Sequence, residues 1–243
     1  MRNKLRAPFI KVITILKDTF DLLTFRLSRE RMLNFGGGHL LFGIICTWIV
    51  GMGRYWDNPH ALFPQYLGVG SVIYIFALTL LLWMVVLPFK PEEWTYLRVL
   101  TFVSLVSPPA IIYAIPVQMF FDLATANRIN TIFLLIVALW RLSLLFYFLR
   151  VYGRLGWFAV IAATLFPVMF IVSALTFLNL DQVVFRAMAG IVEESPNDDA
   201  YVTLFVITFF SIVSFPFVLI CYLAAIIMNG RRKQNESADQ NSD

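Results

Sequence analysis

Apolar residues fill this chain in long runs that are separated by short polar connectors. A helix needs about 20 predominantly apolar residues to cross a hydrocarbon core of about 30 Å. The pattern predicts an all-α fold, a polytopic transmembrane helix bundle of about six spans within residues 35–229. The predicted spans cover residues 39–53, 67–89, 96–121, 129–149, 155–178 and 201–228.

The pattern is different in residues 1–34. Six apolar residues repeat there at alternating steps of four and three, which places them on one helical face: Phe9, Ile13, Leu16, Phe20, Leu23 and Leu27. Lys11, Asp18 and Arg29 fall on the opposite face. The repeat predicts a cytoplasmic, basic amphipathic helix that lies in the headgroup region. The alternative is a helix that packs against the bundle.

Basic side chains give this segment a predicted partner. We expect seven of them to contact anionic headgroups: Lys4, Arg6, Lys11, Lys17, Arg26, Arg29 and Arg31. Basic residues also set the orientation, because cytoplasmic connectors carry an excess of Lys and Arg. With the N-terminus inside, fifteen Lys and Arg fall on the inner side and three on the outer side, Arg54, Arg128 and Arg186. Both termini are therefore predicted to be cytoplasmic.

Three prolines interrupt the third run, and one arginine lies inside the fourth. Proline removes a backbone donor and leaves a carbonyl unpaired, whereas a guanidinium in hydrocarbon brings five donors that lack water. Arg141 and Ser104 both lie eight residues from the inner ends of their predicted spans. We therefore predict that Arg141 donates to the carbonyls of Ser104 or Leu105. The candidate functional residues are Arg141, Ser104, Leu105, Ser107, Pro108, Pro109 and Pro116.

Small residues mark one face of the first span. Gly43, Thr47 and Gly51 recur every four residues, which predicts a narrow face where another helix approaches closely.

Composition agrees with a membrane protein. The chain is 60% hydrophobic and 14% charged, whereas soluble domains usually approach a quarter charged. The net charge of +4 follows from the excess of Lys and Arg on the predicted inner side of the membrane. The sequence shows no basic groove with interleaved aromatic residues, so it does not indicate nucleic-acid binding. The polar tail, residues 230–243, is predicted to be disordered.

Candidate chemistry is sparse. Neither a nucleophile with its base nor a set of metal ligands lies at membrane depth, so we expect no enzyme, no cofactor and no metal. His39 and His60, the only histidines, are predicted to be interfacial. The acidic connector at residues 193–199 lacks the spacing of a calcium loop, which favours a solvated loop. All fifteen acids fall outside or at the edges of the spans, which weakens a transporter hypothesis.

Residues 94–167 resemble the Yip domain family of multi-pass membrane proteins. An interfacial Leu-Arg-Val enters a span that is broken by proline in the stretch EWTYLRVLTFVSLVSPP. Two spans are joined by a basic turn that contains Tyr-Gly in the stretch ALWRLSLLFYFLRVYGRLGWFAVIAATLFP. The resemblance implies a compact helical bundle that organises membrane or partner proteins. Eukaryotic members associate with small GTPases, but their Asp-Leu-Tyr-Gly-Pro signature is missing here, and the chain has a sixth predicted span.

The resulting functional hypothesis is a non-enzymatic scaffold or adaptor in a membrane, whose partners are the lipid bilayer and a membrane or cytoplasmic protein. The alternative is a small transporter or lipid-handling protein with a site beside the broken third span, because interrupted helices often line such sites. The expected location is the bacterial inner membrane, or the ER or Golgi membrane in a eukaryote.

Overall fold

The computed structural model describes residues 2–56, 61–189 and 199–240, and these residues contain helices and no strand. The helices are α1 (Arg2–Leu23), α2 (Arg29–Leu33), α3 (Gly37–Gly53), α4 (Phe63–Tyr66), α5 (Val69–Val86), α6 (Tyr96–Leu105), α7 (Leu123–Val151), α8 (Trp157–Phe177), α9 (Asp181–Ala189) and α10 (Asp199–Gln240). Short 3-10 helices cover Leu87–Phe89, Pro108–Ala114 and Val117–Met119.

Four of the described helices are long and apolar enough to cross a membrane, which confirms the all-α membrane bundle. They cover Val69–Phe89, Leu123–Val151, Trp157–Phe177 and Tyr201–Arg232. A fifth span results if Tyr96–Leu105 and Pro108–Met119 are one span that bends by 43°. The remaining predicted span is α3, an apolar helix of 17 residues. The orientation of the termini stays a prediction.

The chain divides into two compact units, and the first comprises Met1–Leu80 and Thr95–Ala114. In this unit α3 packs against α6 and against the 3-10 helix Pro108–Ala114, while α1 lies against α3. Every residue of α6 from Val99 onward is buried, so this short helix forms the centre of the unit. The prediction that the prolines break the third run is confirmed, since α6 ends at Leu105 and a 3-10 helix begins at Pro108.

The second unit comprises Leu81–Trp94 and Ile115–Asp243. Its long helices α7, α8 and α10 all contact one another, and α9 packs on all three. Aromatic side chains join α8 to α10: the ring centroids of Phe166 and Tyr222 are 4.3 Å apart, and those of Phe170 and Phe215 are 6.4 Å apart. The Tyr222 hydroxyl donates to the Val85 carbonyl at 2.6 Å, which ties α10 to α5.

The N-terminal helix is shorter than its apolar repeat predicts. α1 ends at Leu23 because Phe25 adopts a left-handed conformation with φ of 60° and the chain reverses. Leu27 therefore leaves the predicted apolar face and is fully buried.

The C-terminal helix is longer than predicted. Residues from 230 onward were expected to be disordered, whereas α10 continues to Gln240. Arg, Lys, Gln, Glu and Ala, which make up most of this stretch, have high intrinsic helix propensity, so a helix that enters it is not forced to stop.

Candidate functional site

The candidate residues around the broken helix form a tightly packed, hydrogen-bonded seam in the first unit. A Cβ placed on Gly43 would lie 2.3 Å from the Ser104 Oγ, so α3 and α6 are in direct backbone contact. One turn along α3, the Thr47 hydroxyl contacts both the Ser107 Oγ at 2.7 Å and the Gly43 carbonyl at 2.9 Å. Thr47, Ser104 and Ser107 are all buried.

Small residues continue this seam toward the end of α3. A Cβ on Gly51 would lie 2.8 Å from the Ser71 side chain, and one on Gly53 would lie 2.9 Å from the Ala114 Cβ. The predicted narrow face of Gly43, Thr47 and Gly51 is thus confirmed.

The backbone around the prolines supplies its own hydrogen bonds. The Ser107 N–H donates to the Ser104 carbonyl at 3.2 Å, and the Ala110 N–H donates to the Ser107 carbonyl at 3.0 Å. The Ser104 carbonyl therefore already has a partner inside the first unit. Arg141 is partly buried on α7 in the second unit, and its pairing with Ser104 or Leu105 stays a prediction.

A charged cluster fastens the N-terminal helix to the start of α3. The Arg31 guanidinium donates to Asp18 from Nε at 2.9 Å and to Asp21 from Nη1 at 2.5 Å. The Asp21 hydrogen bond is the largest cause of the raised pKa of Arg31. The His39 Nε2 lies 3.0 Å from the other Asp18 oxygen, and the Gly36 N–H donates to the His39 Nδ1 at 3.3 Å, so Nε2 is the protonated nitrogen.

This cluster changes the predicted lipid contacts. Arg31 was assigned to anionic headgroups, but the structure corrects this, because its guanidinium is committed to Asp18 and Asp21. Lys11, Lys17 and Arg26 are exposed and Arg29 is half-buried, whereas the side chains of Lys4 and Arg6 lie outside the described residues. The sequence signal for this cluster is Asp18 and Asp21, two acids three residues apart in a basic segment. They meet Arg31 because the chain reverses at Phe25.

α1 has three distinct faces. Asp18, Thr19 and Leu22 are buried on one of them. Lys17 and Thr14 lie on a polar face, and the third face is apolar and exposed. Its exposed members are Val12, Ile13, Leu16 and Phe20, with Phe20 62% exposed. The helix therefore packs on the protein through one face and presents an exposed apolar stripe on another, and its place in the headgroup region stays a prediction.

A group of polar residues in the second unit was not predicted. α8 and α10 are antiparallel and contact each other at Phe170 and Phe215. Ser173 lies one turn after Phe170, and Ser211 lies one turn before Phe215, so the two serines are on the same side of this contact. Thr208 is one further turn along the same face of α10.

Two residues of α7 reach the same level. α7 and α8 meet at Phe146 and Trp157, whose ring centroids are 5.6 Å apart. Asn130 lies sixteen residues before Phe146, and Ser173 lies sixteen residues after Trp157. Both residues are therefore equally far from this contact along their helices. We call Asn130, Thr131, Ser173, Thr208 and Ser211 the polar layer. Among the residues that the structure describes, the hydroxyls of Thr131, Ser173 and Thr208 have no hydrogen-bond partner.

The connectors of the second unit are rigid. Lys90, Glu93 and Arg154 have positive φ values of 48°, 55° and 51°, which non-glycine residues adopt only when their surroundings hold them there. The Tyr152 hydroxyl donates to the Glu93 carbonyl at 2.7 Å, and the Tyr152 ring stacks on Phe148. These connectors therefore have a fixed shape.

Within the described ranges, no group of three His, Cys, Asp or Glu side chains is arranged to hold a metal ion. Residues 193–198 of the acidic connector lie outside the described residues, as does the side chain of Asp199. Comparison with family models, with curated proteins and with solved structures found no match.

Proposed function

We propose that this protein is a non-enzymatic scaffold or adaptor at the cytoplasmic face of a membrane. In this proposal α1 lies in the plane of the membrane and contacts anionic lipid. The observation that carries the proposal is the geometry of α1. One of its faces is fixed to α2 by the pairing of Asp18 with Arg31 and to α3 by the pairing of Asp18 with His39, while the apolar stripe Val12, Ile13, Leu16 and Phe20 is exposed. A rigidly mounted amphipathic helix is a suitable anchor for a partner-binding surface.

The charges of α1 support a lipid contact. Lys17 is exposed beside the apolar stripe, so it reaches the headgroup phosphates when the stripe enters the acyl boundary, whereas Lys11 is exposed on the opposite side of the helix. Each basic residue near an anionic surface contributes about 1 kcal/mol at physiological ionic strength. The internal pairing of Arg31 leaves that task to the remaining basic side chains.

Depth measurements on the reconstituted protein test the lipid contact. Spin labels at Leu16→Cys and Thr14→Cys, in a background with Cys46 and Cys221 replaced by Ala, sample the apolar and polar faces of the same helix. We expect the Leu16 label to be accessible to oxygen and protected from a water-soluble relaxant, and the Thr14 label to show the reverse. Equal accessibility at both positions would contradict the in-plane assignment.

Partner capture tests the adaptor role. Crosslinking in native membrane followed by purification of the full chain should recover a defined membrane or cytoplasmic protein. The yield should fall when Leu16 and Phe20 are both replaced by Ser, which removes apolar area from the stripe but leaves its charges in place. A chain that recovers the same proteins with and without the stripe would not be an adaptor of this type.

The resemblance to the Yip family supports the bundle architecture of the proposal. It does not support a GTPase partner, because the Asp-Leu-Tyr-Gly-Pro signature is missing. Within residues 94–167, Trp94 and the Tyr152–Gly153 turn belong to one rigid group, in which the Trp94 and Tyr152 ring centroids are 6.5 Å apart. Such a fixed surface suits a docking role.

A small transporter or lipid-handling protein is the second candidate, and the polar layer favours it. Buried hydroxyls without partners among the described residues are costly in a membrane, and polar groups at this depth commonly mark a ligand pathway. The packed seam around Pro108 gives this hypothesis no support, because α3 fills the space beside the broken helix. Uptake of labelled polar solutes or lipids into proteoliposomes tests it.

A further inference from the structure

Three arginines of the second unit gather around the turn between α7 and α8. Arg150 lies in the last turn of α7, and its Nη1 donates to the Leu155 carbonyl at 2.7 Å. Arg232 reaches the same turn from α10, since its Nη1 lies 3.6 Å from the position of a Cβ on Gly156. Arg154 is part of the turn itself. We call Arg150, Arg154 and Arg232 the basic rim.

The backbone of this turn is fixed. The Gly153 N–H donates to the Phe148 carbonyl at 3.2 Å, and the Leu155 N–H donates to the Leu149 carbonyl at 3.3 Å. A Cβ on Gly153 would lie 2.8 Å from the Leu149 oxygen, so only glycine fits there. Arg150 and Arg154 therefore project from a preorganised backbone, which lowers the entropic cost of binding a ligand at this turn.

The ion pair of Arg154 is weak. Arg154 lies 3.6 Å from Glu92, but both side chains are more than half exposed, and exposed ion pairs of this kind contribute little. Several like charges around one turn repel each other, and a multivalent oxyanion between them relieves the repulsion. Guanidinium forks match phosphate oxygens in geometry and form charge-assisted hydrogen bonds with them.

The apolar surroundings identify the source of the phosphate. Trp157, whose ring centroid lies 4.9 Å from the Arg150 guanidinium, is 60% exposed, and Phe158 and Ile161 continue an exposed apolar strip along α8. An exposed tryptophan at the start of an apolar span marks the headgroup level of a bilayer. We propose that the basic rim binds the phosphate of an anionic phospholipid, whose acyl chains lie along Trp157, Phe158 and Ile161.

This site is independent of α1, because every residue of it belongs to the second unit. Loss of the α1 contact would therefore leave it intact, and its own failure would leave the α1 contact standing.

Lipid retention by the full chain tests the proposal. The protein is purified from vesicles of phosphatidylcholine mixed with phosphatidylglycerol, and the bound lipids are counted by native mass spectrometry. Wild type should retain phosphatidylglycerol selectively. Arg154→Gln/Arg232→Gln preserves the Arg150 bond to the Leu155 carbonyl and should reduce retention by about tenfold or more, since it removes two of the three charged contacts.

Two controls make the result decisive. Arg128→Gln removes a charge from the opposite end of α7 and should leave retention unchanged. Excess inorganic phosphate should not displace the lipid, because it lacks acyl chains. Undiminished retention in the double variant, an equal loss with Arg128→Gln, or displacement by inorganic phosphate would each overturn the proposal. Unchanged thermal unfolding of the double variant excludes misfolding as the cause.

Discussion

Gly43 of α3 lies against Ser104 of α6 with no room for a side chain between them. A Cβ on Gly43 would be 2.3 Å from the Ser104 Oγ and 2.9 Å from the Ser104 carbonyl carbon. Helices in membranes associate through such small residues, because close backbone approach maximises van der Waals contact where the hydrophobic effect gives no drive. This one contact therefore sets the spacing of α3 and the broken helix.

Gly43→Ala should lower the free energy of unfolding by about 1 to 3 kcal/mol, the usual cost of overpacking. The methyl group would meet the backbone of Ser104, which cannot move aside as a flexible side chain does. Gly70→Ala is the matched control in α5: nothing lies within 4 Å of its Cβ, so it should stabilise by about 0.5 to 1 kcal/mol. Thermal unfolding in detergent measures both, and equal effects would exclude a tight contact at Gly43.

Thr47→Val should destabilise the first unit by about 1 to 3 kcal/mol, because it leaves the buried Ser107 hydroxyl without its partner. Thr47→Val combined with Ser107→Ala removes both polar groups and should recover part of this loss. A double-mutant cycle should therefore give a coupling energy of about 0.5 to 3 kcal/mol. Additive single effects would show that the two hydroxyls do not interact.

The seam was predictable because its signals are local. Gly43, Thr47 and Gly51 recur every four residues, which places them on one helical face whatever the tertiary structure is. The break in the third run follows from the covalent chemistry of Pro108 and Pro109. Predictions of this kind need only the sequence and the helical repeat.

The charged cluster and the polar layer were not predictable in this way. Arg31 meets Asp18 only because Phe25 takes a left-handed conformation, which a non-glycine residue rarely adopts and no motif announces. The polar layer depends on the register between α7, α8 and α10, which aromatic contacts such as Phe170–Phe215 fix. Such long-range features depend on packing that periodicity does not specify.

Arg31→Gln should detach α1 from α2. The substitution leaves Asp18 and Asp21 close together without their shared cation, and we expect a loss of about 1.5 kcal/mol, the lower end for charged hydrogen bonds because Arg31 is 35% exposed. Arg29→Gln, two residues earlier, is the matched control and should have a smaller effect. Hydrogen exchange of the α1 amides reports the detachment directly; equal protection in the two variants would refute the anchoring role.

Asp122 should make the start of α7 sensitive to acid. It is the N-cap residue, and hydrogen bonds from Thr125 lower the pKa of its carboxyl below the ordinary value. A lowered folded-state pKa means that the stabilisation is present above the unfolded pKa, about 3.9, and is lost as the pH falls through the folded value. Asp122→Asn should keep the cap at neutral pH and lose this acid dependence, whereas Asp122→Ala should lower the melting temperature at neutral pH. Melting curves recorded down to strongly acidic pH distinguish the three proteins.

The Thr131→Val variant tests whether the polar layer is a ligand site or only a packing defect. Valine has nearly the shape of threonine, so removing a hydroxyl that has no partner among the described residues should stabilise by about 1 kcal/mol or more. Thr164→Val is the control, because the Thr164 hydroxyl is also buried without a partner in the described part of the chain but lies nearer the start of α8, away from the polar layer. If the layer is only a defect, both substitutions should stabilise the protein equally in detergent and in native-lipid nanodiscs. If it binds a polar ligand retained from the membrane, Thr131→Val alone should lose stability in native-lipid nanodiscs, because the ligand then loses a hydrogen bond that Thr164 never made.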